Sequence, residues 1–245
     1  MVKLAVILAA GLGSRLKDRT KEIPKGFLPV AGEPIIERSI KNLFKAGIEK
    51  IIIGTGHAAE MYEEYAERHS QISCVKNLQY KDTGSMFTLY NLREKVTADF
   101  LLLESDLLYD KNGLKVLIDT IEKNVILASG KTNSNDEVYI DANKDGYLIN
   151  MSKNPVELKN IYGELVGITK VSYHCFQKMC LYAKDEFVNR PKLDYEYVLV
   201  GVSKEEKILV RKIDDYVWCE IDDENHLRRA ENIIFPKIKE RETNA

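Results

Sequence analysis

The first 25 residues constrain this chain most, because they join an apolar strand pattern to a glycine-bearing loop. Residues 3–9 form an apolar run, and the loop that follows carries Gly11, Gly13 and Arg15. Glycine has no Cβ, so the backbone N–H groups of such a loop can approach a bound anion. The guanidinium of Arg15 offers a planar, charged fork that suits phosphate oxygens, and Lys25 adds a mobile positive charge. The pattern predicts a phosphate-binding site at the carboxyl end of the first strand.

Two other glycine-loop motifs fit this segment less well. A dinucleotide-binding fingerprint, G-x-G-x-x-G, needs a third glycine at the position of Leu16. A Walker loop would end in Gly-Lys-Ser/Thr, which this loop lacks. A plain strand-to-loop turn with an incidental arginine is the structural alternative. It leaves the joint occurrence of the glycines, Arg15 and Lys25 unexplained.

The composition bounds the kind of protein. The chain has 245 residues, of which 44% are hydrophobic and 30% charged, as in an ordinary globular domain. A net charge of −2 disfavours a nucleic-acid partner, and no apolar run approaches the ~20 residues that span a bilayer. We expect a cytoplasmic protein without a signal peptide and with reduced cysteines. One domain is predicted over 1–236, followed by a polar tail over 237–245 that is either frayed or a linker; the oligomeric state stays open.

Strand and helix patterns alternate in the first half of the chain, which is typical of a parallel sheet with helices on its faces. The second half contains a predicted antiparallel hairpin formed by 138–141 and 147–150. The predicted fold class is a single-domain α/β fold with a mixed, mainly parallel, Rossmann-like sheet flanked by helices. Predicted strands lie at 3–9, 50–55, 73–76, 100–104, 125–129, 162–171, 208–211 and 216–221, and predicted helices at 34–46, 58–68, 86–94 (capped by Ser85), 172–183 and 223–234.

Asp106 is the second informative residue. It follows the apolar strand 100–104 and is predicted at the carboxyl end of a central strand, where open α/β sheets bind ligands. A carboxylate facing a triphosphate needs a divalent cation, and Mg²⁺ accepts one or two carboxylates together with phosphate oxygens. Alone, Asp106 could equally cap the next turn. Beside a glycine loop, the metal interpretation is favoured.

Three segments carry a resemblance to a known family. The run Leu8-Ala9-Ala10-Gly11-Leu12-Gly13-Ser14-Arg15, followed by Pro24-Lys25, resembles the LAAG-x-G-(S/T)-R…PK signature of sugar-phosphate and choline-phosphate nucleotidyltransferases. Segment 163–168 matches the acceptor-side G-E-x-x-G-I strand of that family, and segment 218–227 is similar to its late W-x-E-I-D segment. The resemblance implies a nucleotide-diphospho-sugar transferase-like fold. It also implies attack of an acceptor phosphate or phosphonate on the α-phosphorus of a nucleoside triphosphate.

The resemblance further implies a role for each matching residue. Arg15 would hold the β- and γ-phosphates, and Lys25 the α-phosphate and the acceptor. Mg²⁺ would be held by Asp106 and Asp222, and Asp223 would cap a helix. The motif leaves open the reverse assignment, in which Asp223 holds the metal in place of Asp222. The predicted nucleotide contacts are Leu8, Ala9, Ala10, Gly11, Gly13, Ser14, Gln79, Gly84 and Ser85.

The acceptor is the harder prediction. The Gly-Ser-Met-x-x-Thr form that begins at Gly84 resembles bacterial 2-aminoethylphosphonate cytidylyltransferases. A primary ammonium needs oxygen ligands, whereas a quaternary ammonium favours an aromatic cage. The acidic-aromatic cluster 194–197 could hold an ammonium group or simply begin a helix. Predicted acceptor contacts are Thr88, Glu164, Gly167, Asp194, Tyr195 and Glu196.

The resemblance implies CTP and a small zwitterionic phosphonate or phosphate as the partners. We expect 2-aminoethylphosphonate first and phosphocholine second. A sugar-1-phosphate uridylyl- or thymidylyltransferase is a same-fold alternative. A catalytically idle nucleotide-binding regulator is the non-enzyme alternative, but such a protein should have lost Lys25 or a metal aspartate.

Overall fold

The computed structural model describes residues 2–134 and 136–243. Short 3-10 helices lie at Ser14–Thr20, Lys25–Phe27 and Pro155–Glu157, and a π-helical segment, Ala230–Ile234, joins the last two helices. The α-helices are α1 (Ile35–Lys45), α2 (Ala59–Glu67), α3 (Ser85–Asn91), α4 (Asn112–Asp119), α5 (Tyr173–Glu186), α6 (Tyr195–Val202), α7 (Glu224–Arg229) and α8 (Phe235–Thr243). The strands are β1 (Leu4–Ala9), β2 (Pro29–Val30), β3 (Glu33–Pro34), β4 (Lys50–Thr55), β5 (Ile72–Lys76), β6 (Phe100–Glu104), β7 (Leu107–Tyr109), β8 (Val125–Ser129), β9 (Tyr139–Ala142), β10 (Leu148–Ser152), β11 (Gly163–Val171), β12 (Leu209–Ile213) and β13 (Trp218–Glu220).

The central sheet has nine strands and two halves. Its order is β10-β9-β11-β6-β1-β4-β5, with β8 pairing with both β11 and β12. Strand β1 pairs in parallel with β4 and β6, whereas β11 runs antiparallel to β6 and begins the second half. Every residue of β1 and β11 is buried, because helices cover both faces of the sheet. The predicted mixed α/β fold is confirmed.

Side chains of the central strands alternate between two hydrophobic cores. Val6 and Leu102 pack on one face with α3, α5 and α6, and Ile7 and Leu103 pack on the other with α1, α2 and α4. Alternation follows from the two-residue period of a strand. The carboxyl ends of β1 and β6 therefore emerge side by side from a rigid centre, and both predicted phosphate-site segments follow them.

The carboxyl-terminal segment differs from its prediction. The frayed tail expected over 237–245 is wrong for residues 237–243, which complete α8. Ile238 is fully buried in a third apolar cluster together with Leu16 and Ile35, and Glu242 accepts a hydrogen bond from Arg38 at 2.8 Å. Residues 244 and 245 lie outside the described part of the chain. Helix α8 thus packs against the region that contains the glycine loop.

Helix α3 also differs in detail. Ser85 is its first helical residue rather than its cap, and the helix ends at Asn91 rather than near Glu94. Within the described residues, the helices are all too short or too polar to cross a bilayer.

Candidate active site

The loop after β1 owes its shape to Gly13. Its φ of +63° lies in the left-handed region, and a Cβ there would come within 3.0 Å of the Lys25 side chain. Thr20 closes the loop by donating a hydrogen bond to the carbonyl of Gly13 at 2.8 Å. A Cβ at Gly11 would meet open space. Gly13 is therefore needed for the fold of the loop, and Gly11 leaves room for a ligand.

Lys25 lies at the centre of the candidate site. Its ammonium donates a hydrogen bond to Asp106 Oδ2 at 2.7 Å and another to Asp222 Oδ1. The β13–β7 pairing, in which Glu220 opposes Leu107, brings Asp222 beside Asp106. Two predicted carboxylates that lie far apart in the sequence thus share one cation.

The charges of this group stabilise one another. Burial would raise the pKa of Asp222, but the charge and hydrogen bond of Lys25 outweigh it and hold that pKa at about 2. Burial opposes ionisation of Lys25 as well, yet Asp106 and Asp222 keep its pKa above its ordinary value. Arg15 contacts Asp222 Oδ1 at 2.8 Å. Lys25, Arg15 and Asp222 are therefore held in their charged forms by named neighbours.

The neighbouring Asp223 has a different role. Its side chain accepts hydrogen bonds from the backbone N–H groups of Asn225 and His226, both at 2.8 Å, and so caps α7. The carboxylate of Asp223 therefore caps α7, whereas that of Asp222 accepts a hydrogen bond from Lys25.

Two further carboxylates were missed by sequence reasoning. Oxygens of Glu104, Asp106 and Glu220 lie within 4.8 Å of one another. Burial, followed by the charge of Asp106, raises the pKa of Glu104 to about 7 and that of Glu220 well above its usual range. Such a set of hard oxygen donors fits Mg²⁺. The signal was a repeated Glu-x-Asp pattern, since Glu104 and Glu220 each stand two positions before a predicted metal ligand.

Glu104 is fixed in place by two contacts. The Tyr195 hydroxyl donates a hydrogen bond to its Oε1 at 2.6 Å. Gly167, with φ of +81°, lies so close that a Cβ there would be 3.1 Å from the Glu104 carboxyl carbon. The predicted acceptor residues Tyr195 and Gly167 therefore shape the acidic cluster.

A pocket lies over the glycine loop and is lined by most of the predicted nucleotide contacts. Ser14 and Gln79 are exposed and are not among its lining residues. Thr88, predicted as an acceptor contact, lies here instead; it is buried and accepts a hydrogen bond from the Asn77 amide at 3.0 Å. Tyr62 and Tyr80 line the pocket without having been predicted. Of the predicted contacts, the lining includes Leu8, Ala9, Ala10, Gly11, Gly13, Gly84 and Ser85.

A second pocket adjoins the first and shares three of its wall residues, Ser85, Glu104 and Asp194. Its aromatic lining consists of Tyr195 and Trp218, and Lys153 and Arg229 also line it. Of the predicted acceptor contacts, Gly167, Asp194, Tyr195 and Glu196 lie in this wall. The lining carboxylates are Glu104, Asp136, Glu137, Asp194, Glu196 and Glu220. The second pocket is therefore strongly acidic.

Glu164 does not lie in this wall. Its carboxylate accepts a hydrogen bond from the Thr132 backbone N–H at 2.8 Å, and it lines a separate depression beside Tyr139 and Tyr162. Glu196, by contrast, is buried in the second pocket. Burial, followed by the charge of Asp194, raises the pKa of Glu196 to about 8.

Asp136 links the loop after β1 to the second pocket. Its Oδ2 contacts Arg15 at 2.6 Å, and its Oδ1 contacts Lys153 at 3.0 Å. Each of these cations is about half exposed. One carboxylate thus bridges two positive charges at the mouth of the site.

Comparisons with known proteins identify the family of this chain. The family model described as Nucleotidyl transferase matches residues 4–145, more than half of the chain. The chain is 27% identical over 237 residues to the bifunctional protein GlmU of Methanococcus aeolicus, covering 96% of this chain and 55% of that protein. It is 31% identical over 147 residues to the CMP-5'-(3-aminopropyl)phosphonate synthase of Streptomyces rubellomurinus, covering 59% of this chain and 23% of that protein. The chain therefore spans about half, or less, of these curated relatives.

A solved structure gives the same architecture. The CTP:phosphocholine cytidylyltransferase of Streptococcus pneumoniae superposes with a TM-score of 0.80 at 22% identity, covering 95% of this chain and 99% of that one. At this identity the likeness establishes the fold.

Proposed function

Because the chain belongs to the nucleotidyl transferase family, we propose that it transfers CMP from CTP to a small amine-bearing phosphonate or phosphate and releases pyrophosphate. The observation that carries this proposal is the acidic second pocket, which shares a wall with the glycine-loop pocket. A nucleotide in one pocket and an acceptor in the other would meet beside Lys25.

The reaction needs positioning and charge neutralisation more than covalent chemistry from the protein. An acceptor oxygen attacks the α-phosphorus of CTP, the bond to the bridging oxygen of the β-phosphate breaks, and pyrophosphate leaves with that electron pair. In our proposal Lys25 neutralises charge on the α-phosphate, and Arg15 holds the β- and γ-phosphates. Lys25, which lines the glycine-loop pocket, contacts Asp106 and Asp222, and the half-exposed Arg15 contacts Asp222 and Asp136.

We assign Mg²⁺ to Asp106 and Asp222, with Glu104 and Glu220 close enough to contribute. A bound Mg²⁺ would supply positive charge to the phosphate oxygens during transfer. Such a cation would favour ionisation of Glu104 and Glu220, whose pKa values burial raises, whereas Asp222 already pairs with Lys25 and Arg15.

The acceptor class follows from the charge of the second pocket. We place the ammonium of the acceptor at Glu196, whose buried carboxyl needs a positive partner in order to ionise. The phosphonate would lie toward Lys153, which lines the same pocket. A primary ammonium can donate three hydrogen bonds to carboxylates, which supports 2-aminoethylphosphonate as the acceptor.

Phosphocholine is the second candidate. The rings of Tyr195 and Trp218 in the pocket wall could contact a quaternary ammonium. The hydroxyl of Tyr195 is engaged by Glu104, so that ring is held at one edge. Two rings among six carboxylates favour a primary ammonium over a quaternary one.

The test is a scan of substrates. Purified protein with Mg²⁺ is given CTP, UTP, dTTP, ATP or GTP, each with 2-aminoethylphosphonate, phosphocholine or glucose 1-phosphate, and pyrophosphate release is measured. We expect the highest kcat/KM for CTP with 2-aminoethylphosphonate. A Lys25→Ala preparation controls for contaminating enzymes. Faster turnover of phosphocholine or glucose 1-phosphate would overturn the acceptor assignment, and preference for a nucleotide other than CTP would overturn the cytidylyltransferase assignment.

A further inference from the structure

We propose that Ser85 and Asp194 form a clasp that positions the acceptor pocket against the nucleotide pocket, and that Asp194 is not the ligand of the acceptor ammonium. The inference deepens the proposed function and rests on it, since it concerns how the two substrates are brought together. Both residues are positioning residues here, because they act through the helices that they join.

Three hydrogen bonds form the clasp. The backbone N–H and the hydroxyl of Ser85 both donate to Asp194 Oδ1, each at 3.0 Å. The backbone N–H of Tyr195 in turn donates to the Ser85 hydroxyl oxygen at 3.0 Å. The side chain that would cap α3 is therefore supplied by a residue 109 positions away in the sequence.

The backbone on either side of the clasp is in direct contact. The N–H of Gly84 donates to the carbonyl of Pro191 at 3.0 Å, and the N–H of Met86 donates to the carbonyl of Leu193 at 3.2 Å. A Cβ at position 84 would lie 2.3 Å from the Leu193 carbonyl oxygen. Gly84 is thus required for close approach of the two chain segments, which is a structural reason for a glycine at that place.

The joined segments carry different parts of the site. Helix α3 and the residue before it form a wall of the nucleotide pocket, through Gly84 and Thr88. Helix α6 begins with Tyr195, which donates to Glu104, and Glu196, the proposed ammonium ligand. Movement of α6 would therefore displace the acceptor and the acidic cluster together. The clasp fixes both relative to the nucleotide.

The position of Asp194 supports a positioning role. Its Oδ1 already accepts both donors of Ser85, and the residue lies in the wall common to both pockets. Glu196 lines the acceptor pocket but not the nucleotide pocket. The two carboxylates of the 194–197 cluster thus have different roles: Asp194 orients α6, and Glu196 contacts the acceptor.

The experiment compares two acceptors that differ only in the amine. Steady-state kinetics with saturating CTP are measured for 2-aminoethylphosphonate and for ethylphosphonate. We expect Ser85→Ala and Asp194→Ala to lower kcat/KM about ten-fold or more for both acceptors, because misplacement acts on the whole site. Glu196→Gln, the matched control, should lower kcat/KM for the amine-bearing acceptor and leave ethylphosphonate within about three-fold, because it removes one charge contact.

Conservative variants separate orientation from charge. Asp194→Asn keeps an acceptor oxygen for both bonds from Ser85 and should stay within about three-fold of the wild type, since the clasp needs geometry rather than charge. Ser85→Thr keeps the hydroxyl and should restore most of the activity that Ser85→Ala loses. The double variant Ser85→Ala/Asp194→Ala should be no slower than Asp194→Ala alone, because the two residues share one set of bonds.

Several outcomes would overturn the clasp. An Asp194→Asn loss confined to 2-aminoethylphosphonate would make Asp194 an ammonium ligand, and near-wild-type activity of Ser85→Ala would remove the positioning role. If the wild type turns over neither acceptor, the proposed function fails. The clasp is then tested by the free energy of unfolding of Ser85→Ala, Asp194→Ala and the double variant. Additive losses of that free energy would refute the clasp. Non-additive losses would support it.

Discussion

The ammonium of Lys25 lies 2.7 Å from Asp106 Oδ2, across 81 positions of sequence, and the same ammonium also contacts Asp222. One lysine therefore pairs with both carboxylates to which we assign Mg²⁺. Binding of a metal–triphosphate would exchange these partners: the carboxylates would turn to the cation, and Lys25 to a phosphate. Lys25 and the two carboxylates are therefore already gathered where a metal and a triphosphate would bind.

The first prediction concerns the carboxylates. Asp106→Asn and Asp222→Asn should each lower kcat about 100-fold or more, because each would remove a charge to which we assign the metal. Circular dichroism should show an intact fold.

Asp223→Asn is the matched control for Asp222→Asn. It keeps a cap oxygen at α7, so we expect near-wild-type turnover and a small change in stability. An inactive Asp223→Asn with an active Asp222→Asn would place the metal ligand one residue later.

The second prediction concerns Lys25. Lys25→Ala should depress kcat strongly with a smaller effect on the dissociation constant of CTP, because we assign its charge to the place where negative charge would develop in the transition state. Binding is measured by calorimetry and turnover by pyrophosphate release. Lys21→Ala, an exposed lysine of the same segment, should behave as the wild type. Unchanged kcat with weaker CTP binding would place Lys25 on the outer phosphates.

The parts of the site that the sequence predicted are those held by local motifs. A glycine loop, a lysine after a proline and aspartates after apolar strands carry their signal within a few residues, so Lys25, Asp106 and Asp222 could be named in advance. The Tyr195–Glu104 and Ser85–Asp194 contacts join segments about 100 positions apart. Nothing within either segment encodes such a partner.

Two misplacements have specific causes. Glu164 was named because it matches a family motif. The pairing register of β11 shifts between Leu165 and Thr169, around Gly167 with its positive φ. Simple alternation along β11 therefore does not predict which face of the sheet the Glu164 side chain occupies. Helix α8 was hidden by its polar composition. Its buried stripe continues from Ile234 to Ile238 at a four-residue spacing, too narrow to stand out among charged residues.

The third prediction concerns the pH dependence of stability that follows from the raised pKa of Glu196. Between its ordinary value of 4.5 and its folded pKa of about 8, the carboxyl ionises in the unfolded chain but not in the folded one. The contribution of Glu196 to the free energy of unfolding therefore falls as pH rises through this window. In Glu196→Gln this contribution is absent, because the amide does not titrate. We expect the stability of Glu196→Gln relative to wild type to increase from pH 5 to pH 8 in urea titrations. A difference that does not change with pH would contradict the buried, protonated carboxyl.

The same variant reports on the acceptor. Glu196→Gln should raise the Michaelis constant for 2-aminoethylphosphonate about ten-fold or more, because a buried ammonium would lose its carboxylate. The constant for CTP should barely change. A large effect on CTP would mean that Glu196 acts on the nucleotide side of the wall.

The last prediction concerns Asp136, which bridges Arg15 and Lys153 as the two oxygens of a phosphonate would. An anion that binds Arg15 and Lys153 must displace the Asp136 carboxylate. The apparent affinity for that anion is therefore lower, the larger the fraction of molecules in which Asp136 contacts these two cations. Asp136→Asn should therefore bind methylphosphonate about three- to ten-fold more tightly than the wild type, as expected for two partly exposed ion pairs. Asp145→Asn, which removes the same charge at the exposed turn of the β9–β10 hairpin, should leave binding unchanged. The gain should shrink when Lys153→Gln is added, because one of the released cations is then gone. Calorimetric titration measures all four proteins, and weaker binding by Asp136→Asn would mean that Asp136 holds Arg15 and Lys153 in their productive positions rather than competing with the substrate for them.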